Sequence, residues 1–334
     1  MNKSVIRTAL LAASTMSALV SCGGLHSPSN PAATPASPAP LSATTDDALA
    51  LAWAPILHQD VDQTGSHGLS GKADFITNVD FDGDWNATNN WAHAANYPLA
   101  AHGYYSVVET STHWYLTYAY YHPRDWTDNP FGYDLDEHEN DLEGLLLIVG
   151  KDGSTYGQLQ AMVTVFHSNF YSFLPKGSPL LANEETVDGT VQLVSYNGTM
   201  HPVIAQECQG HGLKAEPYVK INGDGVIYYP SSTVAEIPSS CDDRDVKYKL
   251  VDLFAPGGLW ENRTNPALFA SDQGSFLKSY GHGGANAPWH WDDGDDKPGV
   301  GELATDPAHL AACYFKNFGA FSAVYVRNGY RGIK

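Results

Sequence analysis

Glu137-His138-Glu139-Asn140-Asp141-Leu142-Glu143-Gly144 runs directly into the apolar segment Leu145-Leu146-Leu147-Ile148-Val149. The apolar segment predicts a core strand. A strand sets residues two apart on one face, so Asp141 and Glu143 project together and Leu142 points the other way. His138 falls just before, where a loop would enter. An imidazole and two carboxylates at the mouth of a strand form an oxygen-rich arrangement suited to a divalent cation. The competing reading is a solvated acidic turn ahead of a buried strand.

Upstream, Gly103 to Glu109 and Thr112 to Tyr121 are rich in aromatic and β-branched residues and are separated only by Thr110-Ser111. That pattern predicts a hairpin, whose second strand exits at His122-Pro123-Arg124-Asp125-Trp126 with the proline stopping the pairing. Sheet pairing would bring Asp125 to the same rim as His138, Asp141 and Glu143. Three carboxylates and one imidazole suit Mg²⁺, Ca²⁺ or Mn²⁺ and leave positions for water or ligand oxygens. Crowded without a cation, the carboxylates would repel one another.

Further strands are expected at Gln158 to Phe166, Val191 to Tyr196, His201 to Gln206, Tyr218 to Ile221 and Gly225 to Tyr229, each bounded by Gly, Asn or Pro. Helical patterns cover Ala48 to Trp53, ended by Pro55, and Ala304 to Phe315. The fold class is therefore mainly β, a single β-sandwich-like domain with peripheral helices and long loops. No internal repeat stands out.

The N-terminus reads differently. Lys3 and Arg7, the apolar run Ala9 to Val20 and Leu19-Val20-Ser21-Cys22 form an export signal over residues 1–21 with a lipobox-like end. Cys22 is then the acylated first residue, unless the signal is an ordinary cleaved one with an incidental cysteine. Residues 22–45, with prolines at 28, 31, 35, 38 and 40, form a tether that reaches at most about 70 Å at roughly 3.1 Å per residue. The globular part spans 46–334. Gly23 after the cysteine resembles lipoproteins sorted outward, so the expected location is the cell envelope, membrane-anchored and outward-facing.

Acidic residues outnumber basic ones, 37 to 18, for a net charge of −19. Such a surface repels nucleic acid. Among the cysteines left after the lipid site, Cys208 with Cys241 is the expected disulfide of an exported protein, with Cys313 a small buried hydrophobe. Asn78 to Asn86 carries three aspartates and resembles a calcium loop, but it lacks the downstream glutamate and reads equally as a turn. His167 and His211 each follow a predicted strand, as outer-shell partners, as a general base, or as structural histidines. Trp289, His290, Trp291 and Asp292 could stack on a sugar and take its hydroxyls, or anchor a loop in the core.

Pro123-Arg124-Asp125 followed by Glu137 to Glu143 resembles the signature of necrosis- and ethylene-inducing-like proteins, secreted cytolysins with a rim metal on a β-sandwich that bind sphingolipid head-group sugars. The resemblance implies metal positions at Asp125, His138, Asp141 and Glu143. Glu137, Glu139, Asn140 and Leu142 depart from that signature. The order of Trp53-Ala54-Pro55-Ile56-Leu57, the His138 to Glu143 core, Phe166-His167-Ser168, His201-Pro202-Val203-Ile204 and Gly210-His211 is similar to the vacuolar protein sorting-associated protein 62 family, over roughly residues 50 to 220. Three functions follow as expectations. The first is a surface-anchored lipoprotein binding a glycan or lipid head group through the cation. The second is a metal-dependent hydrolase with His167 or His211 as base. The third is a structural envelope lipoprotein. The chain shows no Gly-x-Ser-x-Gly elbow, His-Glu-x-x-His pair or Cys-His nucleophile.

Overall fold

A computed structural model describes residues 44–128, 137–269, 276, 284–295 and 297–334. Cys22 and the tether up to residue 43 lie outside them. In chain order the first elements are α1 (Asp46–Trp53), β1 (Ile56–Asp60), α2 (Asn90–His93), β2 (His102–Thr110), β3 (His113–Asp125) and β4 (His138–Gly150). Next come β5 (Gln158–Phe166), β6 (Asn169–Pro175), β7 (Leu181–Ala182), β8 (Gly189–Val191), β9 (Leu193–Tyr196) and β10 (Thr199–Gln206). Then follow β11 (Leu213–Ala215), β12 (Gly225–Ser231), β13 (Val246–Asp252), α3 (Leu259–Asn262) and α4 (Pro266–Phe269). The chain closes with α5 (Glu302–Thr305), α6 (Pro307–Tyr314), β14 (Phe315–Lys316) and β15 (Tyr325–Arg327).

The main sheet runs β11-β10-β1-β12-β13-β2-β3-β4-β5-β6-β8, with β15 beside β2 and β9 beside β10. It curls until its two ends approach, β11 lying near β5 and β8. Alternation sorts the apolar residues of β4 into two cores. Leu145, Leu147 and Val149 fill the inside of the curl with Leu57, Tyr118, Phe173, Val226 and Tyr248. Leu142, Leu146 and Ile148 face outward under a second layer that includes Trp289, Trp291, Leu310 and Tyr314. The C-terminal third thus covers the outer face of β2 to β5, and the result is a mainly β, single sandwich-like domain.

α1 starts where Thr45 caps it, its hydroxyl accepting from the Ala48 N–H at 3.2 Å. Pro123 does not stop the pairing. β3 continues to Asp125, paired with His138, because β2 has already ended its pairing at Tyr104↔Ala119, and a strand with a vacant side tolerates a residue lacking an N–H. Tyr218 to Ile221 is not a strand; the pairing falls instead on β11 and β13. The expected helix from Ala304 is broken into α5 and α6 by Asp306, with Pro307 opening the second helix.

Candidate metal centre and cleft

Strand geometry places Asp141 and Glu143 on the inner face of β4, opposite Leu142. Strict alternation would then send His138 to the outer face. Asn140 prevents that, because its φ of +64° lies in the left-handed region. Its side chain faces outward, accepting from Asn90 at 3.1 Å and donating to the Ala87 carbonyl at 2.7 Å. Glu139 also turns toward α2, accepting from the Trp91 N–H at 3.3 Å. His138 and its partner Asp125 therefore return to the side of Asp141.

Asp125, His138 and Asp141 are all buried, and one ligand atom from each lies within 4.8 Å of the other two. His138 Nε2 stands 3.3 Å from Asp125 Oδ2 and makes no hydrogen bond among the described residues. A buried imidazole nitrogen beside two carboxylates is a donor set that fits a divalent cation once the ring is neutral. Glu143 is not part of this triplet. Its carboxylate accepts from the His167 N–H at 3.0 Å and from Asn286 Nδ2 at 3.0 Å, next to the centre.

Two imidazoles offset the carboxylates from within the protein. His211 Nδ1 donates to Asp141 Oδ2 at 3.0 Å, and its Nε2 lies 3.4 Å from Asp74. Burial alone would lower its pKa, but the bonds and charges of Asp141 and Asp74 outweigh burial and hold it up at about 9. Burial opposes His138 too, and Asp125 raises it above the ordinary value. Burial raises Glu143 well above the carboxylate range, helped by the charges of Asp141 and Glu207. Burial also raises Asp141, against the pull of His211. His122 stacks flat on His211 at 3.6 Å and stays neutral, lowered by its burial and by the His211 charge. The raised His138, His211 and Glu143 all shift in the direction that favours bound protons, which opposes the repulsion expected of a cation-free cluster.

Asp74 fixes this arrangement from behind. It accepts from the Asp62 N–H at 2.8 Å, the Gln209 N–H at 2.9 Å and Trp126 Nε1 at 2.9 Å. In front lies a cleft of about 550 Å³ whose wall includes Asp125, Phe166, His167, Glu207, Lys214 and Tyr218. His167, at φ +56°, pairs through Nε2 with Glu207 at 2.6 Å on that wall. Asp74 and Glu207 escaped the sequence reading, since their partners lie far away in the chain; the only signal was their nearness to Gly-rich turns.

No family model and no curated sequence matches this chain. Several solved structures are similar to it. One, described as a toxin fold for microbial attack and plant defense, is 15% identical, covers 71% of this chain and 84% of its own, and has a TM-score of 0.33. Necrosis and Ethylene inducing Protein 2, from the causal agent of cocoa's Witches Broom disease, is 14% identical over 64% of this chain and 77% of its own, with a TM-score of 0.27. NLPPya in complex with glucosamine is 14% identical over 44% of this chain and 51% of its own, at 0.23. The neighbours are thus necrosis- and ethylene-inducing toxin-fold proteins.

The other expected positions separate. Trp291 is 0% exposed and donates to the Leu142 carbonyl at 3.0 Å, and Trp289 is 9% exposed and donates to that of Phe276 at 2.8 Å. They anchor the outer layer on the far face of β4, so a sugar cannot stack on them; His290 and Asp292 flank the anchor, half-buried. Cys208 and Cys241 are unbridged. The Cys208 thiol bonds to Asp60 and the Cys241 thiol donates to the Ser70 carbonyl at 3.2 Å, so each sulfur already has an oxygen partner. Cys313 is partly exposed rather than buried.

Proposed function

We propose that the protein is an exported module, lipid-anchored through Cys22 and held off the envelope surface by residues 22–45, that binds a glycan or lipid head group. A divalent cation, Ca²⁺, Mg²⁺ or Mn²⁺, held by Asp125, His138 and Asp141 would carry the ligand oxygens. The observation that supports this reading is that the buried triplet opens, at Asp125, onto a cleft of about 550 Å³. A cleft of this size takes a sugar-sized ligand. His138 and Asp141 would hold the ion, and His211 with Asp74 would fix the Asp141 carboxylate. Phe166, Tyr218 and the His167–Glu207 pair would shape the ligand side.

The test is retention of the mature protein on a glycan and lipid array, with glucosamine and mannosamine as soluble competitors, in excess Ca²⁺ or Mg²⁺ and in chelator. Cation-dependent retention that Asp141→Asn loses is the expected result; retention indifferent to both removes the proposal. The hydrolase reading rests on the His167–Glu207 pair beside the centre. Turnover of any captured glycan, abolished by His167→Ala with binding kept, would favour it. Detergent phase partition of wild type and Cys22→Ala tests the anchor, and equal partition rejects it.

A further inference from the structure

The strand that closes the curl brings a positive charge to the cleft. Leu213 and Ala215 of β11 belong to the inner core, so alternation sends Lys214, between them, to the other side, where it lines the cleft. Its ammonium sits in a corner of two rings, 3.4 Å from the centre of Tyr171 and 4.5 Å from that of Phe166. The rings meet edge to face, 6.0 Å apart at 83°. Gly212 makes room for the corner, since a Cβ there would stand 2.8 Å from the Phe166 ring. Cation–π attraction to the two rings holds the ammonium in place.

Among the described residues Lys214 makes no hydrogen bond or ion pair. The acidic groups of the same wall are already engaged. Glu207 pairs with His167 at 2.6 Å, Asp60 accepts from the Asn222 N–H at 2.8 Å, and Asp125 faces His138. Lys220, exposed on that wall, adds a second positive charge. An ammonium is a compact charge with three donors, and a charged acceptor makes the stronger bond to it. We propose that the ligand of this cleft carries an anionic group, a carboxylate or a phosphate, which Lys214 binds while the ligand's hydroxyls meet the cation at Asp125. The inference rests on the glycan or head-group reading of the cleft and narrows it to acidic sugars and anionic head groups. Over a chain of net charge −19 an anion meets a repulsive surface, which a local ammonium offsets.

The test compares glucuronic acid and glucose 6-phosphate with glucose, by saturation-transfer NMR on the mature protein in excess Ca²⁺ at low salt. The charged sugars should bind at least about 10-fold more tightly than glucose. That ratio should fall toward one in Lys214→Met, which keeps the stem on the rings, and persist in Lys214→Arg; unchanged melting temperatures confirm folding. In wild type alone, raising the salt should shrink the ratio. Capture by vesicles of phosphatidylinositol in phosphatidylcholine, and not of phosphatidylcholine alone, would place the anion on a lipid head group; binding of the charged sugars alone would place it on a soluble glycan. Cation-dependent binding of glucose with no preference for the charged sugars would overturn this inference and leave the proposed function standing. A preference that survives in Lys214→Met would assign the anion to the metal and overturn it too. No cation-dependent binding of any probe would remove both.

Discussion

The loop from Asn78 to Thr88 and the rim around Asp141 hold the same residue types, and only one of them keeps donors for a cation. In the loop, Asp82, Asp84 and Asn86 each accept from the backbone N–H two residues on, at 3.2, 2.6 and 3.3 Å. Asp82 also pairs with His93. Those oxygens close turns. At the rim, Asp125 and Asp141 are buried and face the imidazoles of His138 and His211. What separates a cation site from an acidic turn is therefore where the carboxylate lone pairs already go, and acid density says little about it.

The largest effect should come from the support behind the rim. Asp74→Ala leaves three donors and the His211 imidazolium without their acceptor in a dry interior, and is expected to cost about 3–5 kcal/mol in denaturant unfolding. Asp84→Ala in the exposed loop should cost less than about 1 kcal/mol. Equal losses would erase the distinction between the two regions.

The second effect is pH dependence. The folded pKa of His211, about 9, exceeds its unfolded value, so its contribution is fully present below about pH 6.5 and is lost as pH rises through 9. The raised Asp141 and Glu143 act with the same sign. In chelator, the unfolding free energy should fall on the order of 3 kcal/mol between pH 6.5 and 9.5. Excess cation should reduce that fall, because ions replace protons on the same donors. A flat profile in chelator would contradict the buried imidazolium.

Third, saturating divalent cation at about 100 times its dissociation constant should stabilise the wild type by roughly 2.7 kcal/mol. Calorimetry should find most of that increment missing in Asp141→Asn and intact in Asp84→Asn. An increment lost in the loop variant and kept at the rim would reverse the comparison. The smallest effect is local: Asn140→Ala, forced to keep a positive φ, should lose about 1–2 kcal/mol, and Asn140→Gly should recover the backbone share of it.

Much of this was legible in the chain. The period-two pattern of Asp141, Leu142 and Glu143 gave their faces, and the aromatic run of β3 gave the neighbouring strand. His138 reached the right side for a reason that periodicity does not carry, the left-handed turn at Asn140. Asp74 and His211 join across long stretches of chain, and no local pattern encodes such a meeting. The Trp289–Trp291 segment looked the same whether it stacked on sugar or on Leu142, since tryptophan meets either with one face and one N–H.

The curl of the sheet gives the rim a place in time. Asp74, the β3–β4 pair that carries Asp125, His138 and Asp141, and His211 come from separate stretches, and the loop carrying His211 leads into β11, the strand that meets β5 only when the sheet's two ends come together. Contacts of such long sequence separation form late, because loop closure must be met before they reward it. On the proposed function, a chain exported unfolded would carry no assembled cage for an ion, so loading would follow export, and bound cation would serve as a readout that the roll has shut.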